Sequence, residues 1–333
     1  MKTPARLWVA GARPRTLPAA VVPVAVGSAA GYVARHGYGH IGNFALVESS
    51  HQHAPYTLAT NVSAHGFSVV NAILALVVAL GLQIGTNYVN DYADGVRGTD
   101  EHRVGPVRLV AGKLASVREV KIAALIAFGI AGLAGLGLAA RVTWWLIPIG
   151  LVCGIAGWGY TGGPRPYGYL GFGELFVFVF FGLVATGGSA YVQHAPFVTS
   201  LAGHLFVYQF DWWFAFWVGV PVGLLAAALL QANNLRDIAT DTESGKKTLA
   251  VRLGRRRAGL FYCFTLMGVA LSIGVVSSYR PWSLLALLAL PVAIAPVRLA
   301  LSDQEGRALL PMLGTTARVQ ILAGALLAIG LLL

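Results

Sequence analysis

Two short stretches gather carboxylates and amides where they can act together. The first, NDYADGVRGTD at 90–100, holds Asp91, Asp94 and Asp100, with Asn87 one helical turn earlier. The second, NNLRDIATD at 233–241, holds Asn233, Asp237 and Asp241. On a helix the first amide and two acids fall at i, i+4 and i+7, and the second set at i, i+4 and i+8, so each set shares a face. Each also closes an apolar run, at the helix end where the macrodipole disfavours carboxylates. Like charges about 5 Å apart cost on the order of 3 kcal/mol at an effective dielectric of 20. Such placements, made twice in a chain with only 13 acidic residues, call for a bound cation. Mg²⁺ suits them, because it commonly binds one or two carboxylates together with substrate phosphates. A solvated loop accounts for Asp100 and Glu101, but not for two same-face sets.

Basic residues supply the complement. Arg97, Arg103, Arg108 and Lys113 follow the first stretch; Arg236, Lys246, Lys247, Arg252 and the run Arg255–Arg257 accompany the second. The run reads first as a set of membrane-side anchors. The segment GKKTLAVRLG at 245–254 is more specific: a glycine turn, two lysines, a Thr hydroxyl and an arginine come directly after Asp241. That mixture suits phosphate oxygens. A metal and a diphosphate beside long apolar helices point to a substrate with a diphosphate head and a lipid tail.

The elements that must position these groups are membrane spans. Hydrophobic residues make up 56% of the 333 and charged residues 11%, far below the quarter typical of soluble domains. Nine apolar runs are long enough to cross a bilayer: 17–34, 67–90, 117–139, 142–160, 170–192, 212–235, 258–277, 281–300 and 312–332. The basic, Trp-bearing N-terminus lacks a cleavage-site pattern and reads as an interfacial helix. Of 24 Lys and Arg, 20 fall on the side of the N-terminus and the two motif loops, which places that side in the cytoplasm. The net charge of +11 is mostly this asymmetry. It favours anionic membrane lipid or an anionic substrate and gives no reason to expect nucleic acid.

The two acidic stretches lie four spans apart, so both point the same way. This predicts two parallel four-helix halves plus a ninth helix, in one all-α transmembrane domain over 1–333. Gly27-x-x-x-Gly31 and Gly150-x-x-x-Gly154 have the spacing of close helix contacts. The outer loops, about 35–66 and 193–211, carry most of the eight histidines; His51-x-His53 reads as solvated loop before metal site. Cys153 and Cys263 read as small apolar fillers. Glu174, the one acid in the fifth span, reads equally as a functional group and as a paired structural carboxylate.

With these motifs in hand, the chain resembles the UbiA superfamily of intramembrane prenyltransferases, whose two Asp-rich motifs match 87–100 and 233–241. More narrowly it is similar to the 1,4-dihydroxy-2-naphthoate polyprenyltransferase branch. That likeness rests on ARPRTLPAAVVPVAVG (12–27), NDYADGVRGTDEHRVGPVRLVAGKL (90–114), YTGGPRPYGYLGFGE (160–174), NNLRDIATDTESGKKTLAVRLG (233–254) and TTARVQIL (315–322). The resemblance implies Mg²⁺-dependent transfer of a polyprenyl group from polyprenyl diphosphate to 1,4-dihydroxy-2-naphthoate, with loss of carbon dioxide, giving demethylmenaquinol. It implies metal ligands among Asp91, Asp94, Asp237 and Asp241, with Asp100 as a fifth. Asn87 and Asn233 would orient ligands, and Arg108, Lys113, Lys246, Lys247 and Arg252 would clamp the diphosphate. An allylic cation would be faced by Tyr88, Tyr160 or Tyr167, and Arg165 would meet the acceptor carboxylate. Two alternatives stand beside this reading. One is the same chemistry on 4-hydroxybenzoate, homogentisate or haem; the other is an ion-coupled transporter, which motifs at helix ends on one side disfavour.

Overall fold

The computed structural model describes residues 3–35, 45–47, 67–98, 108–163, 166–194, 198–201, 204–207 and 210–333. Asp100 and Arg165 lie outside these, as does His51-x-His53. Helices α1 (Ala5–Gly11) and α2 (Pro18–Arg35) form a pair bent by 56°. The bend follows from Arg13, held left-handed at φ 55°, and Pro14, which opens a 3₁₀ turn. Then come α3 (Val69–Arg97), α4 (Val117–Arg141), α5 (Leu146–Gly159), α6 (Gly173–His194) and α7 (Trp212–Arg236). A short α8 (Ile238–Glu243) precedes α9 (Leu249–Ser277), α10 (Pro281–Leu301) and α11 (Leu310–Leu332).

Among the described residues, seven helices are long and apolar enough to cross a membrane, and the bent α1–α2 pair makes an eighth. The fourth expected span is α5, whose 14 residues fall short of the roughly 20 that a hydrocarbon core needs. The chain is otherwise not purely helical. Strands Ala45–Val47, Val198–Leu201 and His204–Val207 (β1, β2 and β3) form an antiparallel sheet in the order β1-β3-β2. It ties together the two connections read as loops; VTSL and HLFV are short β-prone runs.

Helix α7 is the central post, with 67% of its most apolar window buried against 22% for α3. Its Val218, Val222, Leu225, Ala228 and Ala232 belong to the main apolar core. It packs on α9 and on α6, while α3 pairs with α4. The middle of α6, Phe178–Thr186, winds as a π-helix. The Gly27–Gly31 contact is real: a methyl at either would lie 2.2 or 2.1 Å from the Thr186 or Ala190 carbonyl oxygen. The Gly150–Gly154 contact is not. A methyl at either position meets nothing within 4 Å, because both glycines line a cavity.

Candidate active site

Helix α3 runs past the expected end at 90 to Arg97, and Gly98 closes it at φ 70°. Its last turns therefore carry Asn87, Asp91 and Asp94 inward, all buried. The second motif is built differently. A continuous helix through Asp241 was expected, but α7 stops at Arg236 and Asp237 forms the joint to α8, with φ −95° and ψ 6°. The amide of Asp241 still donates to the Asp237 carbonyl at 2.8 Å. Asp237 and Asp241 are both buried too.

Each of the four aspartates has a protein partner that offsets its charge. Asp91 accepts from the backbone N–H groups of Leu109 at 2.8 Å and Val110 at 3.1 Å, and the Arg13 guanidinium acts on it electrostatically. Asp94 faces Arg108 Nη2 at 3.6 Å and Lys246 Nζ at 3.3 Å, and it accepts the Tyr169 hydroxyl. Asp237 is gripped by Arg236, whose Nε and Nη2 each lie 2.7 Å from a carboxylate oxygen. Asp241 stands 4.0 Å from the same Lys246 ammonium that Asp94 meets. One acid from each motif thus shares a single cation.

That sharing tests whether Mg²⁺ suits the residues present. The position between Asp94 and Asp241 already accommodates a positive charge, and a hard carboxylate oxygen faces it from each side. Among the described residues no three His, Cys, Asp or Glu side chains converge. A metal there would complete its shell with substrate phosphate, as Mg²⁺ usually does.

The motifs stand beside a cavity of about 1150 Å³, larger than the roughly 300–1,000 Å³ of ordinary small-molecule sites. Arg13, Arg15, Asn87, Arg108, Asn233 and Arg236 line its polar part. Phe128, Phe176, Phe180, Leu136 and Ile155 line the rest, with Tyr160 and Tyr167. Tyr160 meets Tyr167 edge-on at 5.5 Å, and Tyr167 stacks on Phe176 at 4.0 Å. The Tyr167 hydroxyl donates to the Ala156 carbonyl, and burial holds its phenol well above the ordinary range.

Other expected site residues take different places. Asn87 donates to the Ala12 carbonyl and the Thr16 hydroxyl, so it secures the α1–α2 bend. Asn233 accepts from Arg236. Arg252 donates to the carbonyls of Lys247 and Leu170, which makes it a turn clasp. Lys113 and Lys247 are exposed, and neither lines the cavity. Tyr88 turns to the Trp8 carbonyl. Glu174 is buried against Asn234 at 2.9 Å. The sequence reading missed Arg13, Tyr169 and the cavity face of Arg236. The available signals were the Arg-Pro-Arg break before the first span and the Arg-Asp pair.

Comparison with known proteins follows the same lines. A model of the UbiA prenyltransferase family matches residues 54–313. The chain is 40% identical to the 1,4-dihydroxy-2-naphthoate octaprenyltransferase of Mycobacterium tuberculosis, over 96% of each chain. It is 33% identical to the Escherichia coli enzyme of the same name, over 98% of this chain and 95% of that one. Among solved structures it resembles a UbiA homologue from Aeropyrum pernix, with TM-score 0.63 and 16% identity over 93% of this chain and 97% of that one. It also resembles one from Archaeoglobus fulgidus bound to GPP and Mg²⁺, with TM-score 0.57 and 15% identity over 96% and 99%.

Proposed function

The chain belongs to the UbiA prenyltransferase family, and from that premise we propose that it prenylates 1,4-dihydroxy-2-naphthoate in menaquinone biosynthesis. The polyprenyl group comes from its diphosphate, carbon dioxide is lost, and demethylmenaquinol is formed. The acceptor assignment rests on the near full-length likeness to two enzymes of that name. One observation carries the mechanism: Asp94 and Asp241, one from each motif, meet across Lys246, and Asp94 also meets Arg108, which lines a large apolar cavity.

In this reading Asp94 and Asp241 would hold Mg²⁺, with Asp91 and Asp237 as the flanking carboxylates. Bound there, Mg²⁺ would supply positive charge against that developing on the leaving diphosphate. Lys246 and Arg108, already at Asp94, turn to the diphosphate oxygens. Arg236 lines the cavity with its Nη1 lacking a hydrogen-bond partner among the described residues, so it too can take an anionic oxygen. The prenyl tail lies along the apolar wall. Tyr160, Tyr167 and Phe176 face the allylic cation with their rings and keep water from it. The naphthol ring then attacks the cation carbon. The side bearing the motifs is cytoplasmic, on the strength of the Lys and Arg asymmetry.

An acceptor screen tests this reading. Purified protein with Mg²⁺ and a polyprenyl diphosphate should convert 1,4-dihydroxy-2-naphthoate and leave 4-hydroxybenzoate untouched. Turnover of the benzoate alone would overturn the acceptor assignment.

A further inference from the structure

We propose that Tyr169 is a positioning residue that holds Asp94 and Lys246 in register, so that metal and diphosphate bind together. It lies in neither Asp motif. The inference rests on the metal reading above and adds to it the group that aligns the two halves of the site.

Tyr169 sits in the 3₁₀ turn Tyr167–Leu170 between α5 and α6. The turn is fixed from both ends. The Gly168 amide donates to the Tyr160 carbonyl at 3.0 Å, and a methyl on Gly168 would lie 2.6 Å from that oxygen. Gly171 then reverses the chain at φ 82°. From this base Tyr169 touches both motifs. Its hydroxyl donates to Asp94 Oδ1, the oxygen that Lys246 Nζ meets at 3.3 Å. Its ring lies 4.7 Å from the Lys246 ammonium and 5.4 Å from the Arg97 guanidinium. Its carbonyl accepts the Lys247 amide at 2.9 Å, which pins the loop that carries Lys246.

Each contact has a consequence for ligand binding. The phenol occupies one lone pair of Asp94 Oδ1 and so fixes which way the carboxylate offers the others. The ring gives the Lys246 ammonium a place beside Asp94, by cation–π attraction, from which it can reach a bound diphosphate. Removing such an outer partner of a ligating carboxylate typically lowers metal affinity 10- to 100-fold. A plain structural pin would cost stability and leave metal affinity alone.

The experiment is a Mn²⁺ titration of the full-length detergent-solubilised protein, read by electron paramagnetic resonance, with and without inorganic diphosphate. Tyr169→Phe keeps the ring and removes the hydroxyl; Tyr169→His returns a donor. Roughly tenfold weaker Mn²⁺ binding with diphosphate is expected for Tyr169→Phe, with partial recovery in Tyr169→His. A Tyr169→Phe protein that melts lower yet binds Mn²⁺ within about twofold of wild type marks a pin and overturns the proposal. Wild-type protein that binds no Mn²⁺ even with diphosphate overturns the metal reading itself, a separate result.

Discussion

Arg236 and Asp237 are neighbours in sequence and bidentate partners in space, with Nε and Nη2 each 2.7 Å from a carboxylate oxygen. The two side chains are 1% and 2% exposed, so the pair carries two opposite charges out of water together. The second Nη2 bond, to Asn233, locks the fork at the point where α7 ends. Removing one partner of a buried pair typically costs about 3–5 kcal/mol. Arg236→Ala should therefore lower unfolding stability in detergent by about 3 kcal/mol. Asp237→Asn, which keeps an acceptor for the guanidinium, should cost clearly less. Equal losses would mean that the ion pair does not hold this joint.

Asp91→Asn and Asp94→Asn should both abolish turnover, but they should differ in structure. Both Asp91 oxygens accept backbone N–H groups, from Leu109 and Val110. An asparagine offers one acceptor and turns a donor toward the other N–H, which leaves a buried clash of donors. The segment that carries Arg108 should loosen more in Asp91→Asn, which loses a backbone acceptor, than in Asp94→Asn, which weakens one ion pair to Arg108. Limited proteolysis of the 108–116 segment would show it as clearly faster cleavage in Asp91→Asn than in Asp94→Asn.

How far the sequence could be read depended on the kind of signal. Nine apolar runs located the helical segments, because hydropathy over about twenty residues is set by the bilayer. The same-face argument correctly placed Asn87, Asp91 and Asp94 on one helix. It failed at Asp237, because a helix joint is fixed by the neighbouring Arg236 and not by periodicity. Spacing also cannot tell a packing glycine from one that lines space: Gly27 and Gly150 share a motif and differ wholly in what faces them. Arg252 looked like a phosphate ligand, yet the carbonyls of Leu170 and Lys247 had already claimed it. Tyr169 was invisible for the same reason, since its value comes from contacts with residues more than seventy positions away.

Arg255 was read as an interfacial anchor and instead closes another helix. Its guanidinium donates to the carbonyls of Leu299, Ala300, Ser302 and Gln304, covering the otherwise unpaired C-terminal end of α10. Hydrogen bonds to charged groups contribute about 1.5–3 kcal/mol each before non-additivity. Arg255→Ala should cost on the order of 2 kcal/mol. Arg255→Lys should recover little, because an ammonium cannot reproduce the planar fork. Turnover per folded molecule should stay at the wild-type level in both. A matched loss of stability and specific activity would show that Arg255 belongs to the site.

The two glycine pairs make opposite predictions from one sequence pattern. A methyl at Gly31 would sit 2.1 Å from the Ala190 carbonyl oxygen, so Gly31→Ala forces α2 away from α6. Overpacking of this kind costs about 1–3 kcal/mol, which a thermal melt in detergent would register. Gly154→Leu meets no neighbour within 4 Å at its Cβ and should leave the melt unchanged. Its added bulk instead enters the cavity, on the wall shared with Leu151 and Ile155. Under the proposed function that wall receives the prenyl tail, so long donors should suffer more than short ones. Competition between a short and a long prenyl diphosphate would then favour the short donor in Gly154→Leu and not in Gly31→Ala. An unchanged preference would mean that the tail leaves the site along another face.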